Sequence, residues 1–271
     1  VQPKDVQKDL RLVSKRFNVI AVPLIYLKFT LSPNLFVESA KPVEAKIISH
    51  VVENSRDISI YEKPNCQWHR VARLMSRCTK LQDLRYATLS CRSIFLRDGR
   101  WFHFPSGWQF PLSVEKCLQS ELPHVRVHIT CPEKAQDEKI VIGPNSLPKS
   151  QLVSLDLSQG TVIHPWDEGC FNDLIVSSKA LRDLRLRIDF EFSPAKGKLP
   201  PITTLLLRKS SWLYTPDEVP KIWDFSNLEE LTLVSVDIDR FLSSVSATMF
   251  PSLMKLNLFK RSNIRNMQCR K

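Results

Sequence analysis

Leu228, Leu231 and Leu233, and again Leu253, Leu256 and Leu258, place leucine at the first, fourth and sixth positions of a six-residue window. Alternation over the last three positions predicts a strand with one apolar face. Between the two windows, Ile238, Phe241, Leu242, Val245 and Met249 recur at helical spacing, and Pro251 stops the run. A strand and helix this small each leave an apolar edge that only a neighbouring copy can cover, so further copies are expected upstream.

Such copies are present. Ile202, Leu205 and Leu207 form one, Leu181, Leu184 and Leu186 another, and Leu152, Leu155 and Leu157 a third. Weaker copies follow at Leu122, Val125 and Val127, at Leu81, Leu84 and Tyr86, and at Ile58 with Ile60, where Ser55 takes the first place. Most steps fall near the roughly 20–29 residues of a leucine-rich repeat, which the series resembles. The asparagine that usually follows the third leucine is absent, so the resemblance is to a degenerate array. The expected fold is α/β: an irregular leucine-rich-repeat solenoid over residues 31–271, with parallel strands and outer helices, capped by an N-terminal helical stub. A compact α/β domain rich in leucine is the alternative. The solenoid requires parallel strands centred near 58–60, 84–86, 125–127, 155–157, 184–186, 205–207, 231–233 and 256–258, with the window leucines buried.

Composition narrows the function classes. With 6 glycines against 18 prolines, and no Gly-rich phosphate-binding motif, nucleotide binding through such a loop is not expected. The 7 cysteines include no C-x-x-C pair or zinc-finger spacing, and several lie among apolar neighbours, as Cys78 and Cys170 do. Buried free thiols, no metal and no cofactor are therefore expected. No apolar run approaches a membrane span and the N-terminus is charged, so a soluble intracellular protein of cytoplasm or nucleus is expected. The net charge of +11 raises nucleic-acid binding, but the basic residues are spread along the chain without a recognised fold signature. The six histidines form no H-E-x-x-H, and no G-x-S-x-G occurs, so no enzyme is expected.

At the N-terminus, Val6, Leu10, Val13 and Phe17 line one helical face, and a second short apolar run follows through Ile20, Ala21, Leu24 and Ile25, so two small packed helices are expected, the second kinked or limited by Pro23. The run from Leu10 to Tyr26 resembles the second half of an F-box as found in fungal F-box proteins with leucine-rich repeats. The likeness rests on Leu12, Val13, Ser14 and Phe17, then Ala21, Pro23, Leu24 and Tyr26. Nothing before Asp9 matches the first half of that motif, so residues 1–30 are a partial F-box-like segment. The resemblance implies that Leu10, Leu12, Val13, Phe17, Pro23 and Leu24 dock the adaptor subunit of a cullin-RING ubiquitin ligase, while the repeats hold an unidentified target protein. Without adaptor docking, the segment is a helical cap on the open end of the array and the chain a leucine-rich protein-binding scaffold with no ligase role.

Residues 31–42 suggest a connection, Val43–Val52 a short helix or strand, and Trp68, Val71, Ala72, Met75 and Cys78 a helical face. Phe171, Leu174 and Ile175, with Trp166 and Cys170, suggest another. The long step after Leu81 holds Trp101, Phe102, Phe104, Trp108 and Phe110, too aromatic for a disordered linker. It is expected either to plug a gap as a hairpin or to offer an aromatic anchor to a partner.

If the window leucines point inward, the third, fifth and seventh positions line a concave face. Arg85, Arg126, Arg185, Arg187 and Arg208, with His128, then gather there. Guanidinium forks pair bidentately with carboxylate and phosphate, so the stripe suits an acidic or phosphorylated segment of a target protein; ordinary solvated strand residues are the plain alternative.

Overall fold

The computed structural model describes residues 15–31, 42–61, 67–87, 93–95, 101–103, 111–130, 139–140, 148–158, 162–163, 168–187, 192–208 and 212–259. The strands, in chain order, are β1 (Lys28–Leu31), β2 (Asp57–Tyr61), β3 (Asp83–Ala87), β4 (Ser93–Phe95), β5 (Trp101–His103), β6 (Arg126–Thr130), β7 (Lys139–Ile140), β8 (Leu152–Leu157), β9 (Val162–Ile163), β10 (Asp183–Arg187), β11 (Thr204–Arg208), β12 (Glu230–Val234) and β13 (Lys255–Phe259). Nine of them form one sheet in the order β1-β2-β3-β6-β8-β10-β11-β12-β13. Every neighbouring pair in it is parallel.

Seven of the nine lie where the apolar windows place them, and an eighth, β6, lies two residues further on. β1 has no full window: Leu31 is buried and Phe29 packs partly on the core. It pairs with β2 and straddles the boundary expected near residue 30. In β6 the window Leu122, Val125 and Val127 is out of step. Val127, not Val125, is the partner of Leu84, and Val125 makes the turn bond to a residue three earlier that Leu81, Leu181, Leu228 and Leu253 make. Val125, Val127 and Ile129 are all buried at a spacing of two, so alternation alone allowed either placement. A bulge beside Val127 and His128 then shifts the register between β6 and β8.

The crossovers are helical where the chain has room. α1 (Lys15–Tyr26), α2 (Pro42–Asn54), α3 (Trp68–Ser76) and α4 (Leu112–Ser120) follow one another, with each successive pair in contact. α5 (Glu168–Ser177), α6 (Val219–Ile222) and α7 (Ile238–Ser244) follow in the second half. α1 runs through Pro23, joining Phe17 and the Ile20–Ile25 run in one helix. The stretch after Pro42 is a helix, the first of the two forms its pattern allowed. α7 is shorter than the pattern from Ile238 to Met249 suggests; it ends at Ser244, Phe241 is buried, and Leu242 faces outward. β4 and β5 make an antiparallel hairpin, Ser93 opposite His103, so the aromatic insertion contains a hairpin. Phe104, Trp108, Phe110 and Trp166 lie outside the described residues.

The fourth- and sixth-position side chains meet the helices in one continuous core. Ile58, Leu84, Val127, Leu155, Leu184, Leu205 and Leu231 join Val71, Met75, Leu118, Phe171, Leu174 and Phe241 there. Each such aliphatic side chain removed from water contributes about 1.5–3 kcal/mol. Between β11 and β12, where α6 is one turn long, aromatic rings fill the layer. Trp212 packs edge-on against Tyr214 and Phe241, and its indole donates to Ser244 at 2.6 Å. At the last strand the pattern changes. Leu256 and Leu258 are about half exposed at 50% and 47%, against the expectation that every window leucine is buried. β13 has a strand on one side only, and no described element covers it.

Backbone bonds knit the strand starts together. At the starts of β2, β3, β11, β12 and β13 two successive N–H groups donate to one carbonyl of the previous turn: Arg56 and Asp57 to Leu27, Gln82 and Asp83 to Arg56, Thr203 and Thr204 to Arg182, Glu229 and Glu230 to Thr203, and Met254 and Lys255 to Glu229. The ladder therefore continues past the strands themselves, satisfying polar groups that tight stacking would otherwise bury unpaired.

Candidate functional site

With leucines on the helix side, the alternate strand residues fall on the other face, and these are the charged ones. In β10 the buried Leu184 and Leu186 alternate with half-buried Asp183, Arg185 and Arg187, and β11 repeats the pattern with Thr204, Leu206 and Arg208. The sheet thus brings Arg85, Arg126, His128, Arg185, Arg187 and Arg208 to a single face. It does not leave them equivalent.

Four of the six are held by carboxylates of the same face. Arg85 Nε lies 2.9 Å from Asp57 Oδ2. Arg126 and His128 share Asp83, at 2.8 and 3.0 Å. Burial alone would raise the Asp83 carboxyl, but hydrogen bonds from His128 and Arg126, with their charges, outweigh it and hold it below its ordinary value. Arg185 Nε is 3.0 Å from Asp183 Oδ1. Burial lowers the Arg185 pKa, yet the bond to Asp183 and the charges of Asp183, Asp156 and Glu230 raise it overall. Lys255 closes the row, 2.7 Å from Glu230, and that contact keeps the Glu230 carboxyl low.

Asp57, Asp83, Asp183 and Glu230 are the residues that the leucine pattern passed over. Each stands immediately before the fourth-position apolar residue of its window, at Ile58, Leu84, Leu184 and Leu231. That recurrence is the sequence signal for an acidic row beside the basic one. Arg187 and Arg208 differ from the rest: neither side chain has a hydrogen bond or ion pair among the described residues.

A second candidate surface lies on α1. Val19, Ile20 and Leu24 are 75%, 60% and 51% exposed, and Pro23 is exposed beside them, while Ala21 and Val22 are buried. The expected docking residues therefore divide: Pro23 and Leu24 face outward, Phe17 lies on the same helix, and Leu10, Leu12 and Val13 fall outside the described residues.

Other chemistry is sparse. Cys78 and Cys117 are buried free thiols, both pushed up to about 11 by burial, and they donate to the Leu74 and Ala72 carbonyls. A thiol so placed stays protonated and is a poor nucleophile. Cys170 lies on α5, its surroundings undescribed. Among the described residues, no group of three or more His, Cys, Asp and Glu is arranged to hold a metal ion, and no helix is long and apolar enough to cross a membrane. Compared with protein-family models, curated proteins and solved structures, the chain matches none of them.

Proposed function

We propose that this chain is a substrate-recognition subunit of a cullin-RING ubiquitin ligase, an F-box-like protein that holds its target on the polar face of a leucine-rich-repeat solenoid. The main support is the arrangement of the sheet. All-parallel sheets ordinarily carry helices on both faces; here strands follow one another in chain order, the described core lies on one side, and among the described residues no helix covers the other, largely polar, side. Stacked repeats have that geometry, and their open face is where they bind. Support for the ligase link is separate. It rests on the resemblance of Leu10 to Tyr26 to an F-box and on the exposed apolar stripe of Val19, Ile20 and Leu24 on α1.

Co-expression of the full chain with the ligase adaptor, followed by affinity capture, tests it. Retention of the adaptor by the wild type and its loss in a folded Leu24→Asp variant are the expected results. A folded wild-type chain that retains no adaptor overturns the ligase role and leaves a protein-binding scaffold without it.

A further inference from the structure

Arg187 and Arg208 end β10 and β11 and are direct cross-strand partners. Neighbouring strands lie about 4.8 Å apart, so two guanidinium groups emerge side by side on one face. Like charges placed directly opposite are unfavourable. Four other cations of this face have carboxylate partners: Arg85 has Asp57, Arg126 has Asp83, Arg185 has Asp183 and Lys255 has Glu230. At Arg187 and Arg208 no carboxylate arrives from the described residues, although both side chains are half-buried.

The surroundings of the pair are also distinct. Along the same row, the next two strands place Val234 beside Arg208 and Phe259 beside Val234. Phe259 is 56% exposed. Leu206 lies two residues before Arg208 on β11, half-buried on the same face. Two cations with no ionic partner among the described residues therefore border an apolar shelf.

We infer that Arg187 and Arg208 form an anion subsite for an acidic segment of a partner protein, one carrying two neighbouring carboxylates followed by a large apolar side chain. The carboxylates pair with the two guanidinium groups as Asp57 and Asp183 pair with Arg85 and Arg185, and the apolar side chain rests on Val234 and Phe259. A nucleic acid fits less well: the rest of the face is lined by Asp57, Asp83, Asp156, Asp183 and Glu230, and a polyanion tracking across it meets that row. The inference rests on the polar face being a protein-binding surface and is independent of the ligase link, because adaptor capture reads α1 instead.

Fluorescence anisotropy with the full chain tests it. The probes are labelled degenerate peptide mixtures with two adjacent glutamates fixed two residues ahead of a phenylalanine, the same mixture with glutamines, the same with one phosphoserine in place of the glutamates, and oligouridylate. The glutamate mixture is expected to bind at least about ten-fold more tightly than the glutamine mixture. Arg187→Gln with Arg208→Gln reduces that ratio to below about two-fold without lowering the melting temperature, whereas Arg85→Gln leaves it standing. In the wild-type chain, free glutarate displaces the glutamate mixture and an uncharged diamide does not, a readout that needs no variant. Equal binding of glutamate and glutamine mixtures overturns the inference, as does equal loss in Arg85→Gln, or tighter binding of the phosphoserine mixture or oligouridylate.

Discussion

The Ser55 hydroxyl donates to the Tyr26 carbonyl across 2.9 Å, tying the turn before β2 to the end of α1. Ser55 occupies the place that leucine takes in the stronger windows, and it is fully buried. A leucine there would remove the donor, while the Tyr26 carbonyl, at the C-terminal end of a helix, needs one. Ser55→Ala is expected to cost about 1–3 kcal/mol, the penalty for leaving a buried acceptor unpaired. Urea denaturation reads it as a lower midpoint at unchanged slope; an unchanged midpoint means water reaches Tyr26.

Asp83 links two strands by accepting from both Arg126 and His128. Its carboxyl is held below the ordinary value, so it adds stability above the unfolded pKa of about 4 and loses it as pH falls through the lower folded value. Asp83→Asn should be less stable than the wild type at pH 7, by up to about 1 kcal/mol because the group is partly solvated. The two proteins should converge once the pH has fallen below the lowered folded value. Melting temperatures measured between these limits check the trend, and a gap that stays constant with pH removes the ionic contribution.

Leu231 and Leu256 are partners in adjacent strands at the same window position, yet Leu231 is 1% exposed and Leu256 50%. Equal sequence rank therefore conceals unequal energy. Leu231→Ala should cost about 2–5 kcal/mol through the cavity it leaves. Leu256→Ala should cost well under half of that, since much of its surface is already in water. Similar losses would mean that in solution something covers the helix side of β13.

The strands were legible because each repeat spends its leucines on one face, and a period of two fixes which face that is. The same period hid the β6 register, since Val125, Val127 and Ile129 are equally apolar and a shift of two residues changes no face. β1 escaped because four residues with one buried leucine make no repeat on their own. The arginines were legible as a stripe, but their inequality was not. Whether an arginine is satisfied depends on a carboxylate from a neighbouring strand, as with Arg85 and Asp57, and that contact spans residues far apart in the chain. The acidic residue preceding the fourth position in four of the windows, Asp57, Asp83, Asp183 and Glu230, was the available clue.

The two faces can be separated by one comparison within β10. Leu184 is fully buried in the core, and Arg187, three residues on, is half-buried on the opposite face with no ionic partner among the described residues. Leu184→Ala should cost about 2–5 kcal/mol and weaken the neighbouring strands with it. Arg187→Ala should change stability by about 0.5 kcal/mol or less, and removing one of two adjacent like charges makes a small gain the expected direction. Its effect on partner binding should be larger at low salt, where attraction to an anionic segment is least screened. Arg185→Ala belongs between them, because it leaves Asp183 without its guanidinium partner. Thermal melts of the three variants at low and high salt give the ranking Leu184, Arg185, Arg187 from most to least destabilised. If Arg187→Ala proves as damaging as Leu184→Ala, the side chain is structural, and the polar face is not the free surface on which recognition depends.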